Sequence, residues 1–505
     1  MMKNILEYLE ATAMSVPEKL AFSDGKSDLS FGELQRAAKS IGSALISKGA
    51  RREAVVVFMD KHPNVMSAFF GVIYAGCFYV CIDPKTPAER VKTIIENLSA
   101  KIMIADARAY KKAEAFDMPT LLSFDDIASE EIDETALASV RARQIDTDPI
   151  YVVFTSGSTG VPKGVVACHR SVIDYTEALC SALEFTGDTV FGNQTPLYFD
   201  APLKEIMPTL KLGATTYFIP KMNFSFPVRL IEYLNTHKIN TVCWVVSAFT
   251  QVSALGAFDV LRPEYLHTVA FGSEVFPKKD YKMWREVLPN ARFFNLYGPT
   301  EATGMSCFWR AERELAEDEP IPIGRPFDNT DIILITDEGR EAAAGEDGEI
   351  CIRGTCVTMG YYNNSERTAE AFVQNPLNSV YPELIYRTGD IGRYNEHGEL
   401  VFITRRDSQI KHMGHRIELG EIEAVTLTMS EVKRACCCYD KEARRIVLFF
   451  VGEVESAELQ RYLKERLPVY MLPAICERLD VMPLTDNGKI DRRTLRERAL
   501  TLGQE

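Results

Sequence analysis

Between Ala54 and Ala105 the chain alternates apolar, strand-like runs with segments of helix length. This rhythm constrains the fold more than any other feature. Ala54–Met59, Phe78–Ile82 and Lys101–Ala105 read as strands, and Asn64–Tyr74 and Pro87–Asn97 as helices. A strand that returns to its sheet through a helix runs parallel to its predecessor, so the pattern implies α/β layers around a mostly parallel sheet. Upstream, Ile5, Tyr8, Leu9 and Ala13 mark an amphipathic helix. A short strand, Pro17–Phe22, precedes a helix that Ser30 and Glu33 open as a capping box. The acidic stretch Ser123–Thr135 reads as a surface connection.

The apolar run Ile150–Phe154 reads as a buried strand, and it breaks into four hydroxyl residues and three glycines: Thr155, Ser156, Gly157, Ser158, Thr159, Gly160 and, past Pro162 and Lys163, Gly164. Small side chains let backbone N–H groups approach an anion. Hydroxyls add donors and Lys163 adds a point charge, as a polyphosphate requires. The G-x-x-x-x-G-K-[ST] pattern is missing, and Pro162 with Gly164 discourages a helix directly after. Taken alone, the same residues suit a flexible surface hairpin equally well.

At 505 residues the chain has material for two or three domains. Its formal net charge of −14 argues against nucleic acid or an anionic membrane as main partner. No apolar run is long enough to span a bilayer. The twelve cysteines show no paired C-x-x-C spacing. Cys436, Cys437 and Cys438 alternate faces along a strand-like run, so they read as core thiols of a reduced, cytoplasmic enzyme. His412 and His415 form a close pair that reads as packing around a turn.

Asp200, among Phe199, Ala201 and Pro202 at the start of an expected helix, has two readings: a helix N-cap, or a semi-buried anion awaiting a cationic ligand group. Val269–Glu274 and Phe293–Thr303 are strands spilling into polar turns, where open α/β sheets bind ligands. There Tyr297 offers a ring to stack on a base, and Glu301 offers a hard oxygen suited to Mg²⁺. Gly348–Gly354 and Gly360–Asn363 suggest a small barrel or sheet, and Tyr386–Asp390 puts a carboxylate at a turn. From Thr404 the rhythm changes: helix Glu418–Met429, strands Arg434–Tyr439 and Ile446–Val451, and helix Glu458–Leu467 make a small α+β domain.

In this order the motifs resemble the adenylate-forming superfamily of acyl-CoA synthetases, luciferases and nonribosomal-peptide adenylation domains. The chain is most similar to the amino-acid-activating branch, which includes freestanding D-alanine–carrier-protein ligases. The likeness runs from Ser30–Leu34 through Tyr74–Val80 with Ile82–Pro84, the glycine-rich loop, Phe199–Ala201, Asn295–Thr303, Gly348–Asn363, Tyr386–Asp390, Arg405–Glu423 and Leu467–Pro473 to Asn487–Arg492. It implies a large N-terminal domain (1–406) of two α/β subdomains plus a distorted β-barrel, and a small mobile α+β C-terminal domain (407–505) hinged at Asp407. It also implies ATP and Mg²⁺. A carboxylate attacks the α-phosphorus, pyrophosphate leaves, and a phosphopantetheine thiol on a carrier protein supplied in trans then takes the acyl group. An acyl-CoA synthetase acting on a non-amino acid with free CoA is the alternative, and an inactive nucleotide-binding relic a distant third.

Residue by residue, the resemblance gives Thr155, Ser156, Ser158, Thr159 and Lys163, with Gly157 and Gly160, to the β- and γ-phosphates. Gly272, Ser273, Glu274, Asn295, Leu296 and Tyr297, followed by Gly298 and Pro299, would form the adenine slot. Thr300 would meet the α-phosphate, Glu301 would hold Mg²⁺, Asp390 with Arg405 would bind the ribose, and Lys489 would bridge substrate carboxylate and nucleotide. Asp200 would pair the substrate's α-ammonium. Ala201, Lys204, Trp244, Ala270, Gly272, Leu296, Gly304 and Met305 would line the side-chain pocket. Lys204 reads either as a lysine snorkelling to the surface or as a cation facing an acidic or amide side chain. The chain departs from the pattern at Thr404 and Met413, and Gly272-Ser273-Glu274 stands where D-alanine ligases carry Cys-Gly-Glu. Arg492, Arg493, Arg496 and Arg498 offer a basic cluster to an acidic carrier.

Overall fold

The expected alternation of strand and helix is realised twice. In the computed structural model, which describes residues 2–157, 161–406, 409–485 and 490–502, one sheet runs Thr120–Ser123, Ile102–Ala105, Ala54–Phe58, Phe78–Cys81, Pro149–Thr155, Lys163–Cys168. A nine-stranded sheet runs Arg325–Pro326, Cys307–Arg310, Arg292–Tyr297, Thr268–Gly272, Thr241–Val245, Val190–Asn193, Thr215–Phe218, Leu20–Ser23, Asp28–Ser30. Its inner strands pair in parallel, and antiparallel strands close both edges. A third sheet of five antiparallel strands carries Thr330–Ile335, Gly348–Gly354, Phe372–Gln374, Leu384–Tyr394 and Leu400–Arg405.

Period-two burial divides the nine-stranded sheet into two faces. Cys243, Ala270, Phe294 and Leu296 enter one apolar cluster with the helices His169–Leu183 and Leu203–Leu212. Trp244, Val269, Phe271 and Phe293 enter another with Phe249, Phe276 and Trp284. Ser30 caps the helix Phe31–Ser47 reciprocally with Glu33, as the capping box requires. The acidic connection holds a short helix, Phe124–Ile127, because Phe124 and Ile127 bury one turn of it.

The chain divides into two compact units. The first comprises 1–84, 98–153 and 164–406; the second comprises 85–97, 154–163 and 407–505. In the second, Val432–Asp440 pairs antiparallel with Arg445–Gly452, which pairs in parallel with Ile475–Arg478. The helices Leu419–Leu427, Ser456–Lys464 and Arg492–Thr501 accompany this sheet. Cys436, Cys437 and Cys438 are all buried along the first strand. A hairpin, Gln409–His412 and His415–Glu418, turns on Met413 and Gly414 with φ of 51° and 77°, the left-handed pair a two-residue turn needs. Exposed Met413 serves that turn, and His415 stacks on Tyr470 at 3.8 Å between ring centroids.

Candidate active site

Two polar turns of the first unit gather residues that the resemblance assigns to the nucleotide. Strands Thr268–Gly272 and Arg292–Tyr297 run parallel with Gly272 beside Leu296. A Cβ on Gly272 would stand 2.4 Å from the Leu296 carbonyl oxygen, so only glycine fits. Ser273 then takes φ of 69°, a conformation that costs a non-glycine residue about 1–2 kcal/mol. Glu274 Oε2 accepts the Ser247 N–H at 2.8 Å, and Asn295 Nδ2 donates to the Pro322 carbonyl at 2.7 Å. Both side chains are thus fixed in direction.

The Tyr297 hydroxyl donates to Asp390 Oδ2 at 2.6 Å, and Arg405 Nη1 donates to Oδ1 at 2.5 Å. Asp390 and Arg405 face each other across neighbouring antiparallel strands. The Asp390 N–H donates to Thr388 Oγ1 at 3.0 Å, whose own hydroxyl donates to the Ile350 carbonyl. The carboxylate is held from two sides, and the backbone N–H from a third. Past Gly298 and Pro299, Thr300–Ala302 forms a single tight turn. Glu301 is fully buried there; its Oε1 accepts the Tyr361 hydroxyl at 2.8 Å, and its backbone oxygen accepts the Thr358 N–H.

On the acid side the helix begins at Leu203 with Pro202 as its cap residue, so Asp200 is not an N-cap. Its backbone oxygen accepts the Leu203 N–H. Burial pushes the Asp200 carboxyl above the usual carboxylate range, and Lys204 and the Thr300 hydroxyl pull it back. Gly304, at φ 90°, brings two groups together: Tyr175 Oη and Asp200 Oδ2 lie 3.7 and 3.8 Å from where a Cβ on it would stand. Ala201 is partly buried beside Asp200, and Met305 is buried with Ala270 and Leu296.

Lys204 does not snorkel. It is 3% exposed, because Leu203 through Leu210 are all buried and the helix offers its stem no route to water. Glu205 is fully buried beside it, with Asn193 Nδ2 donating to its Oε2 at 3.3 Å. Burial pushes Glu205 up to about 7, against Lys204, Asn193 and Lys61. Lys61, pushed down to about 7 by the same desolvation, donates to the carbonyls of Asn193, Gln194 and Thr195 at 3.1–3.3 Å. Trp244 is the residue that the structure separates from the others. Its ring packs on Phe224 and Phe249 and its Nε1 donates to the Gly192 carbonyl, on the face of the sheet away from Ala270 and Leu296. Strand alternation puts Cys243 on the acid side instead. Cys243, Tyr175, Tyr151, Glu205 and Lys61 escaped sequence reading because each sits in an ordinary apolar stretch or turn.

Four of the phosphate residues belong to the second unit and have partners within it. Ser156 Oγ donates to the Arg416 carbonyl at 2.9 Å and accepts the Glu418 N–H at 3.1 Å. The Gly157 N–H donates to Glu421 Oε2 at 2.9 Å, whose other oxygen pairs with Arg90. Lys163 Nζ lies 3.9 Å from Glu418 Oε1, and Thr155 Oγ1 is 3.5 Å from the Lys163 carbonyl. Ser158, Thr159, Gly160, Asp407 and Lys489 lie outside the described residues. The terminal arginines are partly spoken for: Arg492 forks onto Glu423, Arg498 pairs with Glu477, and Arg493 pairs with Glu497.

A large N-terminal domain with two α/β sheets and a half-barrel sheet, followed by a small C-terminal domain, is the adenylation-domain fold. It is shared with a nonribosomal peptide synthetase protein containing adenylation and PCP domains bound to a vinylsulfonamide inhibitor (TM-score 0.85, 23% identity, 98% of this chain and 84% of that one). It is also shared with the Vibrio cholerae adenylation domain AlmE in complex with glycyl-adenosine-5′-phosphate (TM-score 0.84, 19% identity, 99% and 98%). The o-succinylbenzoate CoA synthetase of Bacillus subtilis has the same fold (TM-score 0.83, 21% identity, 98% of both). The chain belongs to the AMP-binding enzyme family, whose profile matches residues 9–362, with the AMP-binding enzyme C-terminal domain over 421–489. Among curated relatives it is 30% identical to tyrocidine synthase 1 of Brevibacillus parabrevis over 99% of this chain and 46% of that protein. It is 31% identical to bacitracin synthase 1 of Bacillus licheniformis over 100% and 10%. The chain therefore spans less than half the length of these relatives. Among the described residues no helix is long and apolar enough to cross a membrane.

Proposed function

We propose that this chain activates an amino acid with ATP, forming aminoacyl-AMP and pyrophosphate, and passes the acyl group to the phosphopantetheine thiol of a carrier protein. The observation that carries the amino-acid reading is Asp200. It is a carboxylate off the helix cap, desolvated by burial, with its Oδ2 3.8 Å from where a Cβ on Gly304 would stand. A fatty or aryl acid gives such a group nothing to pair with, whereas an α-ammonium does.

In the first half-reaction an oxygen of the substrate carboxylate bonds to the α-phosphorus as the α–β bridge breaks. The nucleophile arrives ionised, so catalysis is positioning and charge stabilisation. Asp390, held by Tyr297 and Arg405, fixes the ribose, and Asp200 fixes the ammonium. Thr300 meets the α-phosphate, and Lys489 bridges carboxylate and nucleotide. Glu301 suits Mg²⁺, which takes one or two carboxylates alongside substrate phosphates; Tyr361 orients it and the ion neutralises phosphate charge when bound. In the second half-reaction the thiol sulfur attacks the acyl carbon and AMP leaves, after the segment beyond Asp407 turns about that residue. Buried Lys204 supports a substrate whose side chain ends in a carboxyl or carboxamide.

Amino-acid-dependent pyrophosphate exchange across the proteinogenic set, D-alanine and several aryl acids tests the first half. Exchange with an acidic or amide amino acid is expected. Activation of aryl or fatty acids alone, or acceptance of the acyl group by free CoA but not by a holo carrier protein, would overturn the reading in favour of a CoA ligase. Lys204→Ala should let small apolar amino acids compete.

A further inference from the structure

Polar atoms buried without a hydrogen-bond partner are few in native proteins, and each marks an expected partner. Four of these atoms among the described residues belong to neighbouring side chains: Tyr151 Oη, Tyr175 Oη, Asn193 Oδ1 and Glu205 Oε1. Their residues are 0–2% exposed. Tyr151 and Tyr175 both feel the Asp200 charge, Tyr175 also feels Glu205, and Glu205 feels Lys204. Tyr175 is the best placed. Its hydroxyl and the Asp200 carboxylate flank the same point above Gly304, so it borders the position where an amino acid's α-ammonium and side chain would diverge. Burial holds its phenol protonated well past its ordinary range, which keeps it a hydrogen-bond donor.

We propose that Tyr175 is a specificity-determining residue: its hydroxyl donates to a side-chain oxygen of the substrate, selecting a carboxyl or carboxamide over a hydrocarbon. This rests on the amino-acid reading above. A hydrocarbon leaves the hydroxyl without a partner, which disfavours it beyond any difference in size. Asn193 Oδ1 and Glu205 Oε1 add acceptors that a carboxamide's N–H groups can meet.

The test is Tyr175→Phe. It removes one oxygen and keeps the ring that packs edge-on against Phe327. Pyrophosphate exchange would be measured for asparagine, aspartate, glutamine, glutamate, leucine and alanine, with ATP binding by calorimetry as the check on folding. The expected result is a fall of roughly 10- to 100-fold in kcat/KM for the preferred polar amino acid. Leucine and alanine should hold or gain, and ATP affinity should not change. An unchanged polar-to-apolar ratio would overturn the role of Tyr175, as would a wild-type preference for leucine or alanine; both outcomes leave amino-acid activation standing. A wild type that activates no amino acid would sink the amino-acid reading itself.

Discussion

The two ends of the candidate site are built on opposite terms. At the nucleotide end Asp390 already holds Tyr297, Arg405 and Thr388, and Glu301 already holds Tyr361, so the geometry is set within the protein. At the acid end, Tyr175, Tyr151, Asn193 and Glu205 keep polar atoms that have no partner among the described residues. On the proposed function, the contrast follows the chemistry of the two substrates. ATP is constant, and a pre-wired carboxylate meets it without reorganisation. The acid decides identity, and buried atoms left to be satisfied by one ligand penalise every other.

Asp200→Ala should break the acid end most. A buried charge stripped of its partner typically costs roughly 3–5 kcal/mol, so the amino-acid KM should rise a hundredfold or more while ATP affinity holds. Parallel loss of ATP binding would show that the two ends are not separate. Lys489→Ala tests the role proposed for that lysine: pyrophosphate exchange should fall on the order of 10²–10³ with ATP still bound. Near-normal exchange would remove Lys489 from the chemistry.

Tyr297→Phe probes the wired end. A hydrogen bond to a charged group contributes about 1.5–3 kcal/mol, so the ATP KM should rise roughly tenfold or more with amino-acid preference unmoved. A changed amino-acid preference would mean that Tyr297 also serves the acid end.

Glu205→Gln gives the smallest effect and the sharpest sign. With its folded value raised to about 7, Glu205 binds a proton in the native state that the unfolded chain has released. Its stabilising contribution is full below about 4.5 and is lost as pH rises through about 7. Lys61, lowered to about 7, acts oppositely above that pH, and Lys204 and Asn193 complete the surroundings. Thermal melts should show wild type losing stability between about pH 4.5 and 7, with the variant flatter by ~2 °C or more. Equal slopes would place no titration at Glu205.

The linear order of strand, turn and motif sufficed for the alternating layers, the Ser30–Glu33 cap and the core cysteines, because those depend on local periodicity and on side-chain type. It also nominated Asp200 and Lys204, though it left both with two readings. Tertiary packing resolved the fold-dependent part. The helix starts at Leu203 rather than at Asp200, and unbroken burial from Leu203 to Leu210 shuts Lys204 away from water. The same packing turns Trp244 to the far face of its strand, since one residue of register exchanges the two faces and a sequence does not say which face meets the ligand. Tyr175 was invisible for a related reason. On a helix whose Val172, Leu179 and Leu183 are buried, a tyrosine reads as core, and only the approach of Gly304 and Asp200 from other elements turns its hydroxyl into part of a site.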